Sequence, residues 1–377
     1  LARRFLILSA RMGAGHDAVA AELVRRLEGC GHQATRVDVL DLLPAGLGTA
    51  LRAGYRGAVG RLPWTYAALY RAFFHPARGP RPGSAPLAAL AEGRLLAVVR
   101  ERTPDAVVPV FHLAAQVTGR LRAQGRLEVP CPVVVTDFAV HRQWLHPGND
   151  GHLCVCPAAA EEVRGAGGRG VCAPGPVVPP WFTAQAAGAQ PWGPLLRRAG
   201  EGRLPVLVSA GAWGTGSGLV GTARTLARAG YLPVVLCGRN ERLRRRLARQ
   251  GGVWALGWVT ELPGLLASCA ALVDNAAGQT AVQALAAGVP VVGYRPIPGH
   301  GAAGVRRMAA IGVTSHARDE TELLTALAAL TSAGAAREQR IASGRALFAA
   351  DPAQLLAAAA AAERPGRLSP RPGARPR

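Results

Sequence analysis

Residues 272–300 read LVDNAAGQTAVQALAAGVPVVGYRPIPGH. Leu272 and Val273 end an apolar run, and Asn275 to Gly278 lack the large side chains that strands and helices use. Gln279 to Ala287 are helix formers, stopped by Gly288-Val289-Pro290. Val289 to Tyr294 is a short apolar run of the kind a parallel sheet covers on both faces. The order is therefore strand, small-residue turn, helix, buried strand. In a doubly wound sheet such a turn lies at the carboxyl end of a strand, where ligands bind. The free N–H groups that open its helix predict an anion site.

The start of the chain repeats this logic. Arg4 to Ser9 predicts a buried strand and Ala10 to His16 a tight turn. Asp17 is placed to cap a helix whose apolar face is Val19, Ala20, Leu23, Val24 and Leu27. Gly29 and Gly31 end that helix, and Gln33 to Leu40 form the second strand. This β-α-β opening predicts a parallel sheet. His16 falls at the helix start, where desolvation and the positive helix end favour the neutral imidazole that a general base needs. An ordinary surface histidine is the other reading of that position.

Farther along, Pro132 to Thr136 predicts a strand followed by a polar cluster that includes Asp137, His141, Trp144 and His146. Polar residues at the carboxyl end of a buried strand mark a cleft. Asp137 either orients a base or holds an acceptor hydroxyl, or simply caps its loop. Leu204 to Ser209 starts a second sheet, and the glycine-rich turn Ala210 to Gly218 follows it. Its glycines allow backbone N–H groups close to a phosphate. The strand Pro233 to Cys237 runs into Gly238-Arg239-Asn240, and Val253 to Leu256 precedes Gly257-Trp258-Val259. Two domains follow, residues 1–182 and 204–350, with a linker-like stretch at 183–203. A final helix at 351–362 and a disordered Pro/Gly/Arg tail at 363–377 complete the chain.

Composition narrows the class. The chain of 377 residues is 49% hydrophobic, as ordinary globular proteins are, and no apolar run approaches the ~20 residues of a membrane span. No leader is recognised, so a cytoplasmic location is expected. The net charge is +21 and every cation is Arg. Those arginines are spread along the chain rather than clustered with stacking aromatics, which argues against nucleic acid and suits anionic lipid headgroups. Between residues 51 and 78, Leu51, Tyr55, Trp64, Tyr66, Tyr70, Phe73 and Phe74 alternate with arginines, a pattern that fits either a bilayer interface or packing on the domain. Seven cysteines without zinc-like spacing predict buried, reduced thiols. The histidines near Asp137 are too irregularly spaced to predict a metal site.

Taken in order, Gly13, Gly15 and His16, then Thr136-Asp137 with His141 and Trp144, then Cys237 to Asn240, Gly257 to Val259 and Gly278 to Gly299 resemble a known family. It is the monogalactosyldiacylglycerol synthase and processive diacylglycerol glucosyltransferase family of GT-B glycosyltransferases. The resemblance implies an α/β fold of two Rossmann-like domains with parallel sheets facing across a cleft. It implies a membrane-facing first domain that binds the acceptor and a second that binds a nucleotide sugar, a UDP-hexose. His16 is then the catalytic base, with Asp137 assisting or competing. Gly13, Gly15, Thr136, His141 and Trp144 fall on the acceptor side. Gly211, Gly214, Gly238, Asn240, Trp258, Val259, Gly278, Gln279, Thr280, Gln283 and His300 fall on the donor side.

The implied reaction is inverting hexosyl transfer to a lipid such as diacylglycerol, without metal or cofactor, at the inner face of the cell membrane. The implied partners are the nucleotide-sugar donor, the lipid acceptor and an anionic membrane surface, with no nucleic acid. Three positions depart from the family pattern: Gln283 stands for a Glu, His300-Gly301 for Gln-Glu, and Pro179 for an Arg. A soluble natural-product glycosyltransferase and a catalytically degenerate nucleotide-sugar-binding protein are the alternative readings.

Overall fold

The computed structural model describes residues 2–61, Ala68, Tyr70, Phe74, 83–183, 191–216 and 218–362. Trp64, Tyr66, Phe73 and the tail from residue 363 lie outside the described residues. The first half runs β1 (Arg4–Ser9), α1 (Gly15–Gly29), β2 (Gln33–Asp38), α2 (Leu47–Arg61), α3 (Ala85–Arg102), β3 (Ala106–Pro109) and α4 (His112–Ala123). It continues with β4 (Pro132–Val134), β5 (Gly151–Leu153), α5 (Pro157–Gly165) and β6 (Val171–Cys172). After α6 (Trp192–Gly200), the second half runs β7 (Pro205–Ser209), α7 (Leu219–Arg228), β8 (Leu232–Leu236), α8 (Glu241–Ala248), β9 (Trp254–Leu256), α9 (Leu262–Ala267) and β10 (Ala271–Asp274). It ends with α10 (Gln279–Ala286), β11 (Val291–Tyr294), α11 (His300–Ala310), β12 (Ser315–Ala317), α12 (Glu320–Thr331), α13 (Ala335–Arg345) and α14 (Pro352–Ala362).

All strand pairs are parallel. The second domain has the order β12-β11-β10-β7-β8-β9, the strand order of a dinucleotide-binding sheet. The first domain has the ladders β2-β1-β3 and β4-β5-β6. Val107 N–H donates to the Pro130 carbonyl at 3.0 Å and sets β4 beside β3. Each sheet therefore reverses direction once, between β1 and β3 in the first and between β7 and β10 in the second. The crevice outside a reversal is where open α/β sheets hold ligands. Both glycine-containing loops that the sequence singles out, 10–16 and 210–218, lie at these reversals.

The final helix returns to the first domain. Ala353, Leu356 and Ala360 are buried against Phe5, Ile7, Val19 and Leu23. Arg26 of α1 bonds the buried Glu22 at 2.6 Å and Asp351, ahead of the final helix, at 2.9 Å. Removing either carboxylate leaves a half-buried cation short of a partner, which is costly. Farther along the interface, Gln279 Nε2 donates to the Val177 carbonyl at 2.9 Å, and Arg307 pairs with Glu162.

Several expectations are corrected. Asp17 sits inside the first turn of α1 and accepts from the Ser9 hydroxyl at 2.8 Å, while Ala14 holds the cap position. The second strand stops at Asp38, whose side chain accepts from Leu40 N–H and turns the chain into a short 3-10 helix. Residues 192–200 form a helix rather than an open linker. Leu196 is buried there and Trp192 packs edge-on against Trp254, 6.2 Å away. Cys30 is exposed and Cys172 half-buried, while the other five thiols are buried, and all are free. Among the described residues no helix is long and apolar enough to cross a membrane.

Leu356 has no exposed surface, so Leu356→Ala leaves a cavity where the final helix meets the first domain. The expected loss is about 2–5 kcal/mol, read as a lowered urea midpoint. An unchanged midpoint would mean that this helix does not contribute to holding the domains together.

Candidate active site

The two reversals open into one cleft of about 1030 Å³, lined by both domains. His16 lies on the first-domain wall. Its Nδ1 is 3.0 Å from the Val110 carbonyl, just beyond β3, and 3.3 Å from Thr136 Oγ1, just beyond β4. A carbonyl only accepts, so Nδ1 carries the hydrogen and Nε2 keeps its lone pair. Burial lowers the pKa of His16, and the charge of Asp137 offsets part of that effect. The imidazole is therefore neutral at physiological pH, in the tautomer that makes Nε2 the basic nitrogen.

Among the described residues no hydrogen bond joins Asp137 to His16. Its Oδ2 accepts from the indole N–H of buried Trp144 at 2.8 Å and lies 3.4 Å from His141 Nε2. Burial pushes its pKa upward, but the hydrogen bond and charge of His141, with His300 and His16 behind, outweigh this and hold the carboxyl well below the usual carboxylate range. Asp137 is thus an ionised group among imidazoles from both domains, since His300 begins α11 on the opposite wall. Among the described residues no three histidine, cysteine or acidic side chains are grouped to hold a metal ion.

On the second-domain wall the glycine turn 275–278 is set by Asp274, which accepts from Ala276 and Ala277 N–H at 2.9 and 2.6 Å. Ala277 takes a left-handed φ of 52° within this turn, a conformation that costs a non-glycine residue energy and is kept where a site requires it. Gly278 then caps α10, whose first N–H groups have no intrahelical partner. Gln279, Thr280 and Gln283 line the cleft with it. The other loop is tied to this one, as Asn275 Nδ2 donates to the Thr215 carbonyl at 3.2 Å. A Cβ at Gly238 would lie 2.5 Å from the Ala212 and Gly211 carbonyls, so glycine there is a steric requirement.

Of the residues named from the sequence, Gly13, Gly15, His16, Thr136, Asp137, His141, Gly211, Gly238, Trp258, Val259, Gly278, Gln279, Thr280, Gln283 and His300 line this one cleft. Trp144, Gly214 and Asn240 do not. Trp144 lies behind Asp137. Asn240 caps α8 and donates to the Gly214 carbonyl at 3.0 Å, so this pair joins two turns of the second domain. Gln279 lines the cleft while its amide spans the domains to Val177. Trp258 is 51% exposed with Arg239 stacked 5.1 Å from its ring. Pro179 also lines the cleft.

The sequence reading left out Phe111, His112, Tyr70 and Phe74 as site residues. Their signal was present at His112, which follows a strand on the cleft side, but no spacing ties it to His141. Ring contacts do: His112 to His141 is 5.1 Å, Phe74 to His141 4.8 Å and Phe111 to His112 4.1 Å.

Residues 16–177 match the family model described as Monogalactosyldiacylglycerol (MGDG) synthase. The processive diacylglycerol beta-glucosyltransferase of Bacillus subtilis (strain 168) is 28% identical over 216 residues, 55% of this chain and 55% of that protein. This chain thus spans about half the length of the curated relatives it matches. Among solved structures, CalG4, the calicheamicin glycosyltransferase, superposes with a TM-score of 0.62 at 17% identity, covering 96% of this chain and 98% of that one. MurG from Acinetobacter baumannii superposes with a TM-score of 0.57 at 14% identity, covering 96% and 99%.

Burial lowers the pKa of His16, His112 and His300 from the ordinary 6.5, most strongly for His112. The unfolded chain takes up protons at these groups near pH 6.5 while the folded chain resists them. Stability is therefore lost as pH falls through 6.5, well before Asp137 is protonated. Urea midpoints measured from about pH 8 to about pH 5.5 should fall, and His112→Gln should flatten the fall. A flat wild-type profile would contradict the burial of these imidazoles. With the geometry and the comparisons together, the chain has the GT-B glycosyltransferase fold and is related, through residues 16–177, to the monogalactosyldiacylglycerol synthase family.

Proposed function

We propose that this chain transfers a hexose from a nucleotide sugar, a UDP-sugar in our reading, to the hydroxyl of a lipid acceptor such as diacylglycerol. The observation that carries the reading is the orientation of His16. Its Nδ1–H is committed to the Val110 carbonyl, so Nε2 is the basic nitrogen on a cleft wall that faces the glycine turns of the second domain. In the reaction the acceptor hydroxyl gives its proton to His16 Nε2 as its oxygen attacks the anomeric carbon. The bond to the nucleoside diphosphate breaks on the opposite face, and the configuration inverts. Asp137 stabilises the imidazolium that forms, through its charge rather than by contact.

The leaving diphosphate gathers negative charge as the bond breaks. The open N–H groups at the start of α10 and the loop around Gly211 line the cleft and would receive it in this reading, without a metal. The apolar wall formed by Leu51, Leu87, Tyr70 and Phe74 suits the acyl part of a lipid acceptor. The relatives named as diacylglycerol glucosyltransferases support the same acceptor class. Attachment of the protein to an anionic membrane face belongs to this proposal.

His16→Ala is expected to abolish turnover while nucleotide affinity changes by less than about twofold. Turnover that survives the substitution would remove His16 as the base. Ligand-detected NMR with UDP, GDP, dTDP and their sugars identifies the donor, and saturation of UDP is the expected result. Gln283 occupies the position where the family has a glutamate that would accept two hydrogen bonds from a ribose. A charge-assisted bond is stronger than a neutral one by about 1 kcal/mol, so Gln283→Glu should tighten UDP by roughly five- to tenfold. No gain would mean that this residue does not reach the ribose.

A further inference from the structure

The chain carries a net charge of +21, yet among the described residues that line the cleft there is no arginine. The carboxylates there are Asp137, which indole and imidazole groups hold ionised, and Asp274, which is bonded to Ala276 and Ala277 N–H. Burial keeps His16 and His300 toward their neutral forms. A phosphate entering the cleft therefore meets backbone N–H dipoles but no full positive charge on these walls.

One cation stands at the edge of the second-domain wall. Gly238 lines the cleft, and the N–H of the next residue, Arg239, donates to the Ala212 carbonyl at 2.9 Å. Gly211 and Ala212 line the cleft too, so the Arg239 backbone is fixed to the glycine loop. The approach is close because Gly238, at φ 55°, has no Cβ to meet those carbonyls. The Arg239 side chain is exposed. Its Cζ lies 5.1 Å from the ring of Trp258, which lines the cleft, and 5.5 Å from the ring of Trp213.

No carboxylate holds Arg239 in that place among the described residues. The acid nearest in sequence, Glu241, is paired with Arg244 and Arg245. Arg295, at the other end of the glycine loop, is bonded to Glu320 and to the Gly218 carbonyl. Arg56 also lies over Trp213, 3.7 Å from its ring, so one indole serves two like charges and a bound anion would relieve their repulsion. An exposed stack of guanidinium on indole is weak, whereas an arginine–phosphate pair is charge-assisted and can be bidentate.

We propose that Arg239 is a donor-binding residue, turning from Trp258 into the cleft to pair with a phosphate of the nucleotide. Its anchored backbone keeps it beside the glycine loop, and its long side chain makes the change by rotation alone. The proposal rests on the nucleotide-sugar reading given above and adds to it the residue that supplies full positive charge. It makes the site select a nucleotide over the nucleoside.

The test uses the full chain and ligand-detected NMR titrations with UDP and uridine. Arg239→Gln removes the charge at an exposed position, so the circular dichroism spectrum and urea midpoint should stay unchanged. UDP affinity should fall about tenfold, and uridine affinity should stay within about twofold of wild type. Arg239→Lys restores the charge without the planar fork and should bind UDP within about threefold of wild type. Arg228→Gln, at the end of α7 and ahead of the amino end of β8, reports the effect of net charge alone. It should change UDP affinity by less than about twofold.

Equal UDP affinity in the wild type and Arg239→Gln would overturn the proposal. So would a parallel loss for uridine, an equal loss in Arg228→Gln, or an Arg239→Lys chain as weak as Arg239→Gln. A wild type that binds neither ligand removes the nucleotide-sugar reading and this proposal with it. UDP binding that survives Arg239→Gln removes only the role of Arg239 and leaves that reading standing.

Discussion

A backbone carbonyl cannot donate a hydrogen bond, and this limitation of Val110 decides the chemistry of the cleft. Val110 follows β3, and His16 follows β1, its neighbour in the sheet. The 3.0 Å contact between them exists because the first sheet reverses there and opens a crevice wide enough for a side chain. Once the carbonyl has taken Nδ1–H, the basic nitrogen of His16 is fixed as Nε2. Topology thus sets the tautomer, and no carboxylate is needed to orient the ring. Asp137 is released for another task, holding His141 and Trp144.

That division of labour explains the charge pattern around the cleft. Four imidazoles stand near one carboxylate, and burial keeps three of them, His16, His112 and His300, toward their neutral forms. Asp137 stays ionised because indole and imidazole N–H groups are directed at it. The negative charge of Asp137 favours positive charge on the imidazoles around it, His16 among them. The other wall presents the backbone N–H groups that open α10, beside a turn whose N–H groups are taken by Asp274.

The fold was legible because its signals are local and repeated. Turns of small residues follow apolar strands at Ser9, Ser209 and Asp274, and each is followed by a helix. Spacing alone revealed that much. The resemblance to a known family then picked His16 and Thr136-Asp137, and the structure brings them to one cleft. What the sequence could not show was pairing across the fold. Asp17 has the residue type of a cap, yet Ser9 claims its side chain. Asn240 has the look of a ligand contact, yet its two polar ends are spent on the cap of α8 and on Gly214. The segment 192–200 contains Pro and Gly and reads as a linker, but Leu196 and Trp192 find a surface on the second domain. His112 and His141 are 29 residues apart, and only the meeting of β3 and β4 makes them neighbours.

The arginine excess has a partly structural explanation on the same grounds. Arg26 bonds Glu22 and Asp351, and Arg307 pairs with Glu162, so cations join the two domains. Arg56 of α2 stacks 3.7 Å from the ring of Trp213, a residue of the second domain's glycine loop, and Arg239 bridges Trp213 and Trp258. A guanidinium can lie flat on an indole and still reach solvent, which lysine does poorly. Trp213 also donates, at 3.4 Å, to the Met12 carbonyl in the turn that leads to His16. The glycine loop of the second domain and the turn that leads to His16 are therefore linked through one side chain. Motion of the domains about the cleft must break or carry that contact, so the geometry of the second domain's glycine loop and the position of His16 change together.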